Sequence, residues 1–254
     1  MKPGMSSIAI RSVLSLLCGL HCSAALAGPP LSIDDPGILA AGELEIIFAA
    51  TMSATDGGNY HDLPLLDLSV GLIEDYVQAS IGVSHVYVAL DNAISQQDVG
   101  NPSVGVKFRF VNTDRLQVAF APAYVFGVSD STAQKGVGDS ANIAVYPFNA
   151  EYQLNDAWRF NGELSYARSD ENDKEWGYGV AFARTLNARR ELLFEVSGSG
   201  GNFLGSDFMQ ARVGIDSAMS DSFSLLFSIG TGLREPDGED STNLDVFIGF
   251  KYVR

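Results

Sequence analysis

From residue 43 to the end of the chain, apolar and polar positions alternate with a period of two in segments of about ten residues, the pattern of strands with two unlike faces. Leu44, Ile46, Phe48 and Ala50 alternate with Glu43, Glu45, Ile47 and Ala49, and Leu66, Leu68, Val70 and Leu72 with Asp67, Ser69 and Gly71. The same pattern runs through Val77–Val83, Val104–Phe110, Leu116–Phe126, Trp158–Tyr166, Trp176–Phe182, Leu192–Val196, Met209–Ile215, Phe223–Ile229 and Leu244–Tyr252. One less regular segment, about 141–154, loses phase near Pro147, which predicts a bulge there. Twelve strands result, and no window after residue 30 shows a helical period.

The connections add a second pattern. Those at about 52–62, 90–100, 128–139, 169–175, 199–207 and 234–242 are long and polar. The intervening ones, Ile73–Asp75, Asn112–Asp114, Asn155–Ala157, Asn187–Arg189 and Ala218–Asp221, are tight and carry Asn or Asp suited to turns. Long–short alternation over an even strand count predicts an all-β fold, a transmembrane antiparallel up-and-down β-barrel of 12 strands with short periplasmic turns. One face carries aromatics and almost no charge. The other carries Ser, Gly, Ala and charged groups, which cannot fill a dry core, so lipid outside and a polar lumen inside is the expected sense. Trp158, Tyr152, Phe223 and Tyr252 near the turns, and Trp176, Tyr124 and Phe208 near the loops, fit two interfacial girdles.

Residues 1–27 stand apart from the fold. Lys2 and Arg11 precede an apolar stretch from Val13 to Leu20, and Ala25-Leu26-Ala27 forms an A-x-A site before Gly28. This predicts a signal peptide cleaved between Ala27 and Gly28, a periplasmic N-terminal segment over 28–42 and an outer-membrane barrel over 43–254. The apolar stretch is too short to span a bilayer, and neither Cys18 nor Cys22 follows the small residue that a lipidated cysteine requires.

Composition then narrows the chemistry. The 254 residues carry 31 acids and 16 bases, a net charge of −15, which excludes nucleic acid as a partner. Loss of residues 1–27 removes two bases, no acid and both cysteines, leaving 14 bases against 31 acids and a charge of −17. A cysteine-free exported chain has neither disulfides nor a thiolate metal site.

On the predicted lumen face, Glu45, Asp67, Glu151, Glu163, Glu195, Asp216 and Asp245 face Lys107, Arg109, Arg159, Arg212 and Lys251. They form either a selective constriction or cross-strand ion pairs that fill a narrow barrel. His61, near Asp56 and Asp62 in the first long loop, is a solvated loop residue, and no metal site is expected. A membrane lipid hydrolase would need Ser84 and His85 to meet, but neighbours on a strand point to opposite faces. Gly198-Ser199-Gly200-Gly201 lacks the following helix that a phosphate loop needs. The acidic stretches Ser169–Glu175 and Glu235–Asp240 are solvated or bridge lipopolysaccharide through cations.

Three stretches, Leu31-Ser32-Ile33-Asp34-Asp35-Pro36-Gly37 with Gly42-Glu43-Leu44-Glu45, Leu63-Pro64-Leu65-Leu66-Asp67-Leu68-Ser69-Val70-Gly71-Leu72, and Val99-Gly100-Asn101-Pro102 running on to Phe110, carry a family likeness. They resemble the bacterial outer-membrane β-barrel family of meta-pathway phenol-degradation proteins, described as transporters. The resemblance covers the first half well and the second only by strand pattern, and it implies passage of small, aromatic compounds. The expected function is a passive outer-membrane channel or transporter for small molecules, hydrophobic or aromatic ones among them, with no cofactor and no enzymatic activity. Its partners are outer-membrane lipid, lipopolysaccharide and a small-molecule solute. The alternative is a structural or surface-interaction barrel using its acidic loops.

Overall fold

The computed structural model describes residues 28–254 apart from 92, 204 and 237–239. The predicted signal peptide therefore lies outside the described residues. The chain forms β1 (Leu44–Thr55), β2 (Gly58–Ile73), β3 (Val77–Leu90), β4 (Gln96–Val99), β5 (Ser103–Asn112), β6 (Leu116–Phe120) and β7 (Ala123–Val125). A short helix, α1 (Asp130–Ala133), precedes β8 (Ile143–Asn155), β9 (Trp158–Ser169), β10 (Lys174–Asn187) and β11 (Arg190–Gly200). Then come β12 (Phe208–Ala218), β13 (Phe223–Arg234) and β14 (Thr242–Val253).

These strands make twelve staves. Strands β4 and β5 both pair with β3, as the two halves of one stave interrupted around Pro102. Strands β6 and β7 both lie between β5 and β8, divided at Ala121-Pro122. Antiparallel pairing of β1 with β14, from Glu45↔Val253 to Thr55↔Thr242, closes the sheet. The structure is thus the expected closed antiparallel barrel, and closure removes the unpaired edges that lipid could not satisfy.

The outer face carries large exposed apolar side chains all round: Phe48, Ile81, Phe108, Phe148, Phe182, Phe227, Ile248 and Phe250 among them. Soluble monomers rarely expose apolar patches beyond a few hundred Å², so this face belongs in hydrocarbon. Aromatic contacts band both rims. At the tight-turn end Phe223 packs on Tyr252 at 4.7 Å, and the Arg184 guanidinium sits 5.4 Å from the Trp158 ring. At the loop end Trp176 lies 4.9 Å from Tyr166 and 5.0 Å from Phe203.

Two sequence expectations need correction. The 52–62 connection is not a loop: β1 and β2 are joined only by Asp56 and Gly57, and His61 and Asp62 are strand residues. Likewise 90–100 contains β4, β11 reaches Gly200, and β9 and β10 leave only 170–173 between them. Strands keep pairing past the apolar band because their hydrogen bonds do not depend on lipid. The expected bulge at Pro147 is also absent, for β8 pairs with β9 without interruption from Ile143↔Ser169 to Gln153↔Arg159. Pro147 points inward, and both faces are apolar there, which hides the alternation. A real irregularity falls at Leu63-Pro64, which bulge out of β2 opposite Ala50 with Leu63 exposed, a place where a missing N–H costs no ladder bond.

Residues 28–42 turn at Gly42, whose N–H donates to Gly71 O, and run back into the lumen. Gly42 has φ +82°, a left-handed conformation suited to glycine.

Candidate functional site: the occupied lumen

The entering segment meets one stave after another as its numbering falls. Leu39 N–H donates to Gln78 Oε1 on β3 at 3.0 Å. The Lys107 ammonium on β5 donates to Asp35 O at 2.8 Å and pairs with Asp34 at 2.7 Å. Asp34 N–H donates to Glu163 on β9 at 2.9 Å. Ser32 and Ile33 N–H both donate to Glu195 Oε2 on β11, at 2.8 and 3.1 Å. Gln210 on β12 donates to Ser32 Oγ, and Ser228 on β13 donates to Pro30 O at 2.6 Å. The segment thus winds around the lumen, tied by its backbone to inward-pointing polar side chains.

Its own alternation suits that role. Leu31 and Ile33 are buried with Ala181, Ala183 and Leu193, while Ser32 and Asp34 make the polar contacts. The receiving wall is small by design of sequence: β10 turns Gly177, Gly179, Ala181 and Ala183 inward. A β-carbon on Gly179 would overlap Ile33 Cγ2, and one on Gly71 would overlap the carbonyls of Leu39 and Ala40. Burial pushes the Asp34 carboxyl above its ordinary range, against the pull of Lys107.

All twelve charged residues singled out from the sequence lie on the inward faces of their strands, but they do different things. Lys107, Glu163 and Glu195 hold the segment. Arg159 pairs with Glu191 at 2.5 Å and with Glu151 at 3.6 Å; Arg212 pairs with Asp245 and Lys251 with Asp216, each at 2.9 Å. Both pairs reach over β13: Arg212–Asp245 across Gly230, and Lys251–Asp216 across Ser224 and Leu226. Arg109 belongs to the tight-turn end, where it grips Asp75 at 2.6 Å and Gln117 at 2.8 Å. Glu45 and Asp67 line a cavity of about 260 Å³ with Asp34, Asp35, Gln78, Lys107 and Lys251.

The lumen is less polar than expected. Ile47, Ala49, Leu65, Leu226 and Phe247 form one buried inward cluster. At the loop end Tyr60, Val86 and Val88 receive Val137, so the 126–142 connection, of which about 128–139 is expected from the sequence to be a polar outer loop, folds against the inner wall. Asn101 pins it: Nδ2 donates to Phe126 O and Asp139 O at 2.8 and 2.7 Å, and Oδ1 accepts from Asp139 N–H at 2.8 Å. Lys135 adds a link to Asp98 at 2.7 Å. A narrow barrel filled from within needs complementary apolar surface as a core does.

The enzymatic constellation does not assemble. Ser84 points inward and donates to Asp62 at 3.1 Å, whereas His85 stands on the outer face against Gln97. His61 is also outside, 6.0 Å from the Tyr87 ring. Among the described residues no group of three potential ligands is placed to hold a metal ion.

No protein-family model matches this chain, and no curated protein matches its sequence. Solved structures do. An outer membrane channel from Pseudomonas putida F1 superposes with a TM-score of 0.73 at 13% identity, over 87% of this chain and 98% of that one. The KdgM porin in complex with disordered oligogalacturonate gives 0.58 at 10% identity, over 82% and 98%. The translocator domain of the autotransporter NalP from Neisseria meningitidis gives 0.56 at 10%, over 97% and 96%. At such identities the shared property is the fold, that of a bacterial outer-membrane β-barrel.

Proposed function

We propose that the protein is a passive outer-membrane channel for small molecules, hydrophobic and aromatic compounds among them, whose lumen is gated by its own N-terminal segment. The observation that carries this reading is the lumen itself: a closed lipid-facing barrel holding a tethered segment, with a cavity beneath it, rather than a solid core. The fold shared with the P. putida channel and the KdgM porin supports it. Apolar clusters alternate with ion pairs along the inner wall, so a solute with an apolar body and a polar group finds partners for both. The twelve charged residues line that route, and the export of the chain after cleavage at Ala27-Gly28 delivers it to the outer membrane, among lipid and lipopolysaccharide.

Conductance in planar bilayers and uptake of a labelled phenol into proteoliposomes test the reading, with the intact protein and with residues 29–39 deleted. The deleted form should conduct ions and admit phenol faster than the intact one. A barrel closed to both in either form overturns it. That outcome favours the second reading, a structural or surface-interaction barrel, which the filled lumen and the acidic loop-end segments also suit.

A further inference from the structure

The lumen holds more carboxylates around residues 28–35 than it holds cations. Asp34 and Asp35 lie on the segment itself, Glu45 on β1, Asp67 on β2, Glu163 on β9 and Glu195 on β11; the cations are Lys107 on β5, Lys251 on β14, Arg159 on β9 and Arg212 on β12. Lys251 is engaged by Asp216, Arg159 by Glu191 and Glu151, and Arg212 by Asp245. Gly28 lines the same cavity as Asp34 and Asp35. A β-carbon built on Gly28 would stand 2.9 Å from Asp34 Oδ1 and 3.4 Å from the Asp35 nitrogen. The Gly28 nitrogen shares that α-carbon, so it lies at most about 5.4 Å from the carboxylate. A turn closed by Leu31 N–H to Gly28 O holds the residue there.

In the full-length chain this nitrogen is a neutral amide. Cleavage after Ala27 turns it into a primary ammonium. We propose that removal of residues 1–27 completes the lumen site: the α-ammonium released at Gly28 pairs with Asp34 and fastens the N-terminal segment inside the barrel. The seated segment is then a property of the processed protein, and its position depends on where the cut falls. A cut one or two residues upstream moves the charge away from Asp34 and leaves the carboxylate with Lys107 alone. The inference concerns how the segment is held, and its test involves no transported solute.

Mass spectrometry of the protein recovered from the outer membrane should give Gly28 as the first residue; a different terminus overturns the proposal. The second measurement uses the absence of cysteine beyond residue 27. A single cysteine, Ile33→Cys or separately Ser32→Cys, reports seating through its labelling rate with a membrane-impermeant maleimide. Two alanines retained ahead of Gly28 should raise that rate about tenfold, and Asp34→Asn should do likewise. The two changes together should be no worse than Asp34→Asn alone, because that change already removes the pair that the extension displaces, together with the pair to Lys107. An unchanged rate in the extended protein overturns the proposal. So do additive effects, which would mean that the extension disturbs the segment by bulk rather than by displacing its charge.

Discussion

Glu195→Ala is the most direct perturbation of the seated segment. Fixing roughly ten residues costs about 10–20 kcal/mol of backbone entropy. Against this, burying Leu31 and Ile33 contributes about 3–6 kcal/mol. Three N–H groups on carboxylates add about 5–9 kcal/mol, and the neutral bonds to Gln78, Gln210 and Ser228 about 2–4 kcal/mol. The Lys107 contacts to Asp34 and Asp35 O add about 2–5 kcal/mol, so the two sides nearly cancel and the segment is held by a few kcal/mol. Glu195 is 3% exposed and accepts two of the three charged bonds. Its loss removes about 3–6 kcal/mol, as much as the whole net hold. Labelling of Ile33→Cys, together with single-channel conductance, is the assay. The variant should label at least tenfold faster and conduct more than the parent, with far-UV circular dichroism unchanged because the barrel ladder is untouched. Equal labelling and equal conductance would refute the account of how the segment is retained.

Gly179→Val, read through Ser32→Cys so that Ile33 stays in place, should give the same labelling without altering any charge, since the added carbons occupy the place of Ile33; a seated segment in that variant contradicts the packing. Lys107→Gln leaves the Asp34 carboxyl buried beside other acids, a loss of about 3–5 kcal/mol, and should also free the segment. A double change with Asp34→Asn should recover part of the protection, read by the same reagent. Asn101→Ala removes three hydrogen bonds from the 126–142 connection, about 2–4 kcal/mol in all. Protease added to proteoliposomes should then cut within 126–142, where the parent resists.

The barrel was legible because lipid and lumen impose opposite demands on successive residues. Wherever both demands act, as in β2 from Leu66 to Leu72 or β10 from Trp176 to Ala183, the facing was readable residue by residue. The opposition of Ser84 and His85 followed from the same rule. Strand ends were not readable, because beyond the apolar band Asn59, His61 and Asp62 obey no such demand and look like loop residues. Pro147 misled for a related reason: Ile143 and Val145 face inward while Tyr146 and Phe148 face out, so no contrast marks the two sides. The N-terminal segment was the largest omission. Its signal was present in two places, the alternation of Leu31 and Ile33 with Ser32 and Asp34, and the inward row of glycine and alanine on β10. Neither element is informative alone; the small residues become meaningful only when something is known to lie on them.

The hinge at Gly42 makes the segment and the barrel one covalent molecule. Leu31 is eleven residues from that hinge, a reach of about 36–40 Å when extended. A segment that leaves the lumen therefore stays within a volume comparable to the barrel itself, at an effective concentration on the millimolar scale. Opening by displacement is in consequence always transient: re-entry is unimolecular, independent of protein abundance, and competes directly with any solute occupying the vacated space. The barrel carries the first competitor for its own lumen.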